Sequence, residues 1–171
     1  EPVHETGGKL SEETTAWMKM QLEEAKKQGV TVIPVSHHNL LDESTLYPEE
    51  CTIENTKEVT ALLEAYGVPV YLSGHLHLQR IKKHTSNLNT PGGYGIREIV
   101  TSPLPMAPCQ YSILNWQADG SLSYHTKKVD IAGWAQRYGE EDENLLNFDA
   151  YADQFLVDVI SDCLLYTSPS P

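Results

Sequence analysis

The stretch that decides the fold is Val30-Thr31-Val32-Ile33-Pro34-Val35-Ser36-His37-His38, together with its counterpart Leu72-Ser73-Gly74-His75-Leu76-His77. In both stretches, an apolar run ends in histidines. Each run follows a segment with the apolar spacing of a helix, and that segment closes on a glycine, Gly29 or Gly67. This repeated order of helix, glycine, strand and histidine is typical of an α/β protein. It predicts strands over Val30–Ser36 and Pro69–Ser73.

Capping residues mark both predicted helices. Ser11 is a good N-cap, and the first helix is predicted to extend from it to Gly29. Asn55 precedes the second helix and Glu58 follows three residues later, which predicts a capping box. The second helix is predicted to end at Gly67. Both helices therefore lead directly into apolar strands.

The first predicted strand is apolar without alternation, which indicates a strand covered on both faces. Pro34 lies within it and has no backbone N–H to donate to a neighbouring strand. The sequence therefore predicts that this strand lies at a sheet edge or is locally bulged at Pro34.

The character of the chain changes after His77. Four strands separated by turn residues are predicted, and they are expected to pair as antiparallel hairpins. They are Leu78–His84, Tyr94–Thr101, Tyr111–Gln117 and Leu122–Val129. Helical patterns follow over Ile131–Tyr138, Glu140–Asn144 and Phe148–Cys163. The predicted fold class is therefore α/β, in the form of an α+β sandwich.

Composition excludes several classes of function. The 171 residues carry 12 basic and 24 acidic side chains, and a net charge of −12 argues against a nucleic-acid partner. The three cysteines form no Cys-x-x-Cys pair, which excludes a cysteine zinc ribbon. No apolar run has the length of a membrane span. A small phosphorylated substrate at a metal site stays compatible with the acidic charge, because the ions supply local positive charge.

The histidines at the strand ends predict a metal site. In an open α/β sheet, ligands bind at the carboxyl ends of the strands, and neighbouring strands lie about 5 Å apart. We therefore expect His37 and His75 to lie side by side. His75 and His77 are two residues apart, so in extended backbone both project to the same side. Neutral imidazole binds zinc, iron or manganese, and Gly74 would allow the tight bend that converges the rings.

These residues resemble a known family. Ser36-His37-His38 and Gly74-His75-Leu76-His77 are similar to the last two metal motifs of the calcineurin-like metallophosphoesterases. The resemblance implies a fold of four α/β/β/α layers and a site with two divalent transition-metal ions, Zn, Fe or Mn. It also implies a hydrolase that acts on a phosphodiester or a small phosphomonoester.

The resemblance assigns a role to each residue of the two motifs. It implies that His37 and His75 bind one metal and that His77 binds the second. His38 and Asn39 would lie near the substrate phosphoryl group or directly behind the metal ligands. Gly74 would shape the turn of the site.

The family's other motifs, Asp-x-His, Gly-Asp and Gly-Asn-His, are absent. Residues 1–163 are therefore predicted to be the C-terminal portion of a single metallophosphoesterase domain, with helices 131–163 inside it or appended to it. The missing N-terminal half of that domain would be the partner that supplies carboxylates, and residues 164–171 would be a non-native tail. The chain by itself is predicted to bind metal weakly and to hydrolyse nothing. The compartment stays open between bacterial cytoplasm and cell envelope.

Two other interpretations stay open at this point. In one, the three predicted ligands hold a single zinc ion in a structural or interaction module without catalysis. In the other, the domain is purely structural and its histidines are incidental. Asp42 and Glu43 could reach the His37 site, or they could be ordinary loop residues.

Overall fold

The computed structural model describes residues 8–41, 51–84 and 95–167, with backbone alone at 160 and at 162–167. The chain divides into two compact units, with the boundary between Thr101 and Ser102. Both units combine helices with small sheets, which confirms the mixed α/β class. A four-layer α/β/β/α arrangement is not seen in the described ranges.

Two helices open the first unit: α1 spans Glu12–Gln28 and α2 spans Thr56–Ala65. The predicted cap of α1 is confirmed, because the Ser11 hydroxyl accepts a hydrogen bond from the Thr14 amide at 3.1 Å. The helix ends at Gly29, whose φ of 65° is left-handed and therefore suits glycine.

The predicted capping box of α2 is wrong. The Asn55 side chain makes no cap. It instead accepts from the Leu10 amide and donates to the Leu10 carbonyl, both at 3.1 Å. Asn55 therefore links the segment before α1 to the start of α2, and this long-range pairing outcompetes the local cap.

Three short strands form the sheet of the first unit: β1 (Val70–Ser73), β2 (Arg80–Lys83) and β3 (Arg97–Val100). Their order is β1-β3-β2, with β3 parallel to β1 and antiparallel to β2. The core of this unit consists of apolar side chains from α1, α2, β1 and the loops. They are Leu22, Leu40, Leu41, Ile53, Val59, Leu63, Val68, Tyr71 and Ile96.

The expected strand over Val30–Ser36 is reduced to one bridge beside β1. The Ser36 amide donates to the Leu72 carbonyl at 3.1 Å, and the Leu72 amide donates to the Pro34 carbonyl at 3.0 Å. The next bond of a parallel ladder would run from the N–H of residue 34 to the carbonyl two residues before Leu72, and proline has no N–H. The prediction of a strand buried on both faces is wrong, since Val35 is 72% exposed.

The second unit begins with an antiparallel hairpin, β4 (Gln110–Trp116) and β5 (Leu122–Lys128), as predicted. Three helices follow: α3 (Ile131–Tyr138), α4 (Glu143–Leu146) and α5 (Phe148–Thr167). Helix α5 runs past the predicted end at Cys163. The boundary of the native chain at 164 stays a prediction. Within the described residues, no helix combines the length and apolar character needed to cross a membrane.

Candidate histidine site

Two loops carry the predicted site, one after the bridge at Val35 and one after β1. The Gly74 amide donates to the His37 carbonyl at 3.1 Å, so the backbones of the two loops are joined directly. His37 Nε2 and His75 Nδ1 lie 3.0 Å apart, within hydrogen-bond distance. The ring centroids are 4.9 Å apart, with the planes nearly perpendicular at 82°. The structure thus brings His37 and His75 side by side, as the repeated pattern predicts.

His38 completes a cluster of three rings. Its ring centroid lies 4.6 Å from that of His75 and 5.4 Å from that of His37. Gly8 lies directly against His38, since a Cβ at Gly8 would come within 3.1 Å of His38 Nδ1. The cluster consists of His37, His38 and His75, and Gly8 is a close neighbour that the sequence pattern does not reveal.

His77 lies exposed at the end of the same loop. The extended backbone expected between His75 and His77 is not formed, because their φ angles are 62° and 54°. These are left-handed conformations that residues other than glycine seldom adopt. The strain of this turn is therefore carried by the two histidines. Gly74 has ordinary φ, and a Cβ there would meet the His37 carbonyl oxygen at 3.8 Å, an ordinary contact.

The environment of the cluster favours the neutral form of its central ring. Burial lowers the pKa of His75, and the charges of His38, His37 and His77 lower it further. A neutral imidazole keeps a nitrogen lone pair, which is the form that binds metal ions.

The donor atoms partly fit a metal ion. In a tetrahedral zinc site with Zn–N bonds of about 2.05 Å, two ligand nitrogens lie about 3.3 Å apart. The 3.0 Å between His37 Nε2 and His75 Nδ1 is close to that separation. Among the described residues, however, no group of three or more His, Cys, Asp or Glu side chains is placed to hold a metal ion. Asp42 and Glu43 lie outside those residues.

The histidine loops are linked to three buried polar residues, Asn39, Ser73 and Glu98. The sequence analysis singles out Asn39 but not Glu98. Asn39 is fully buried, and its Nδ2 donates to Ser73 Oγ at 2.8 Å and to the Gly74 carbonyl at 3.3 Å. Ser73 in turn donates to Glu98 at 2.6 Å. The serine before each histidine loop is visible in the sequence, but nothing local marks Glu98, which is 25 residues further along the chain.

One family model matches the chain: the C-terminal domain of cyclic nucleotide phosphodiesterase, over residues 130–167. This range comprises α3, α4 and α5 of the second unit and is well under half of the chain. No curated protein matches the chain. The expected membership of the calcineurin-like metallophosphoesterases is wrong, because the matching model is a different one. That resemblance rested on two short histidine motifs, which form on many scaffolds, and it said little about the helices that the model matches.

Proposed function

We propose that this chain is part of a metal-dependent hydrolase that acts on phosphodiester bonds of a small phosphorylated substrate. The observation that carries the proposal is the convergence of imidazoles from two separate loops, with His37 Nε2 and His75 Nδ1 at 3.0 Å. The match of residues 130–167 to the C-terminal domain of cyclic nucleotide phosphodiesterase supports the choice of phosphodiesters.

In this proposal His37 and His75 are ligands of one divalent ion, and His77 is a ligand of a second ion. Such an ion supplies Lewis acidity and a water of lowered pKa. Three neutral imidazoles cannot offset the repulsion between two dications, so the second ion also requires carboxylates from outside the described residues. The three imidazoles by themselves are accordingly expected to bind one ion weakly and to support no hydrolysis.

The other two predicted residues have separate roles. His38 is half-buried beside His75, where a ring N–H can donate to a phosphoryl oxygen and orient it. Asn39 is fully buried, so in this proposal it supports the loop and does not contact the substrate. Its amide holds Ser73 and Gly74, and thereby the backbone that leads into His75.

A second candidate function is a structural zinc site without catalysis. The observation that favours it is that the described ring cluster is built from imidazoles, which are common ligands of structural zinc ions. Zinc held by imidazoles would then stabilise the first unit and nothing more. The two functions differ in whether phosphodiester hydrolysis depends on the cluster.

Metal binding is the first test. The chain is titrated with Co²⁺ and followed by its visible absorption, and the wild type is compared with His37→Ala and His75→Asn. Asparagine suits position 75 because it tolerates a left-handed φ. The exposed His125 on β5 gives the matched control His125→Ala. Loss of binding in the two cluster variants alone is expected, and equal binding in all four proteins would refute the metal site.

Hydrolysis is the second test. The gene product that includes any residues preceding Glu1 is assayed with bis(p-nitrophenyl) phosphate and with p-nitrophenyl phosphate, in the presence of Mn²⁺ or Zn²⁺. We expect hydrolysis of the diester that His75→Asn abolishes and His125→Ala leaves unchanged. Metal binding without any diester hydrolysis would favour the structural zinc site.

A further inference from the structure

We infer that Glu98 is the positioning residue of the histidine site, and that Ser73 connects it to the second loop. The inference rests on the proposed function, since it concerns how the proposed ligands are held. Glu98 lies on β3 and is completely buried, and its hydrogen bonds go to the residues that flank the histidines. It acts through backbone amides of the first loop and through the Ser73 hydroxyl, which precedes the second loop.

The carboxylate of Glu98 accepts three hydrogen bonds. Its Oε1 accepts from the Leu40 amide at 2.7 Å and from Ser73 Oγ at 2.6 Å. Its Oε2 accepts from the Leu41 amide at 2.8 Å. All four residues are buried, so each of these donors would lack water if the carboxylate were absent.

Lys82 on β2 compensates the charge. Its Nζ lies 3.8 Å from Glu98 Oε2, and the lysine and glutamate side chains are 3% and 0% exposed. The same Nζ donates to the Leu41 carbonyl at 2.7 Å. An isolated buried carboxylate would be very costly, and the ammonium of Lys82 offsets part of that cost.

The positions of these contacts explain why they orient the histidines. Leu40 follows His38 by two residues, and Ser73 precedes His75 by two. A single carboxylate atom, Oε1, therefore binds both histidine loops and sets the distance between them. Asn39 adds a direct link, because its Nδ2 donates to the same Ser73 Oγ at 2.8 Å. Partners behind a metal ligand fix its orientation in this way.

The rival explanation is that the network only stabilises the fold. Two variants and one control separate the two roles. Ser73→Ala removes the link between Glu98 and the second loop and leaves Glu98, Lys82 and both backbone amides in place. Glu98→Gln removes the negative charge and one acceptor. Leu63→Ala, at a buried position of α2, lowers the stability of the same unit and removes none of the hydrogen bonds of the network.

The first measurement needs no metal. In the full chain with isotope-labelled histidine, cross-relaxation between carbon-bound ring protons reports the contact of His37 with His75, whose centroids are 4.9 Å apart. We expect the signal in the wild type and in Leu63→Ala, and its loss in Ser73→Ala and Glu98→Gln. Persistence of the signal in folded Ser73→Ala would overturn the inference.

The second measurement is Co²⁺ affinity. Substitution of such supporting partners typically weakens metal binding by about 10- to 100-fold, and we expect this for Ser73→Ala but not for Leu63→Ala. Equal weakening in both would indicate mere destabilisation and would overturn the inference. If Glu98→Gln does not fold, Ser73→Ala decides by itself. If the wild type binds no Co²⁺, the proposed metal site fails, while the ring contact still tests the positioning role.

Discussion

The buried pair of Lys82 and Glu98 makes Lys82→Met the most informative stability variant. Methionine has nearly the length of the lysine stem and no charge. The substitution removes the ammonium that lies 3.8 Å from Glu98 Oε2 and that donates to the Leu41 carbonyl at 2.7 Å. It leaves the three hydrogen bonds that Glu98 accepts from its other donors.

The expected decrease in the free energy of unfolding follows from the hydrogen bonds that Glu98 keeps in Lys82→Met. Removing one partner of a buried ion pair typically costs about 3–5 kcal/mol, because the other charge remains buried without a partner. Glu98 keeps three donors, so we expect the lower end, about 3 kcal/mol. The effect should appear in the first unit, where both residues lie.

Hydrogen exchange of the backbone amides in β1 and β3 measures the effect, because the exchange rates of a sheet report the free energy of its opening. The control is Lys128→Met in the second unit. Lys128 Nζ lies 2.6 Å from Asp149 Oδ2, but both side chains are more than half exposed. Exposed ion pairs contribute little to the free energy of unfolding, so we expect no measurable change in the stability of the second unit in Lys128→Met. A loss in Lys82→Met no larger than in Lys128→Met would refute the reasoning.

Three further predictions concern the same unit. Burial raises the pKa of Tyr71 above its ordinary value of 10.0, although its bond to a serine hydroxyl opposes this. The contribution of this shift to the free energy of unfolding is therefore complete below pH 10 and is lost as the pH rises through the folded-state pKa. An ultraviolet titration of phenolate should lose a step above pH 10 in Tyr71→Phe. Leu63→Ala should lower the free energy of unfolding by about 2–5 kcal/mol, because Leu63 is completely buried, and a loss under 1 kcal/mol in urea denaturation would contradict that. Gly8→Ala should shift the ring of His38 by a few tenths of an ångström and change its NMR signals, because the new Cβ would lie 3.1 Å from its Nδ1; unchanged His38 signals would contradict this contact.

Local signals in the sequence account for most of the helices. The cap at Ser11 and the left-handed Gly29 bound α1 where the sequence places them, because capping depends on residues within one turn. The juxtaposition of His37 and His75 was also predictable, since it requires only that the segment at Val35 run parallel to β1 and end at the same edge of the sheet.

The parts that could not be predicted depend on long-range contacts. Glu98 meets the Leu40 amide across 58 residues, and no spacing in the sequence marks that pairing. The local pattern predicts that Asn55 is a cap, but its side chain binds Leu10, 45 residues away. Tertiary contacts of this kind override local preferences because they satisfy polar groups that lose contact with water, wholly or in part, on folding.

Two further differences have backbone causes. Pro34 carries a carbonyl but no N–H, so the segment at Val35 pairs with β1 for one bridge only. The left-handed φ angles at His75 and His77 could not be anticipated, because glycine at position 74 was the residue expected to bend. The roles of the site residues stay predictions until the binding and hydrolysis experiments are made.

The hydrogen bonds of Glu98 to two successive amides have a consequence for engineering. The amides of Leu40 and Leu41 lie 2.7 and 2.8 Å from the Glu98 carboxylate oxygens. Because these bonds fix the backbone there, a substitution or insertion after residue 41 is not expected to displace the histidines. Position 41 is thus a natural graft point. Segments of other lengths joined after this position are therefore expected to leave the two anchored amides in place.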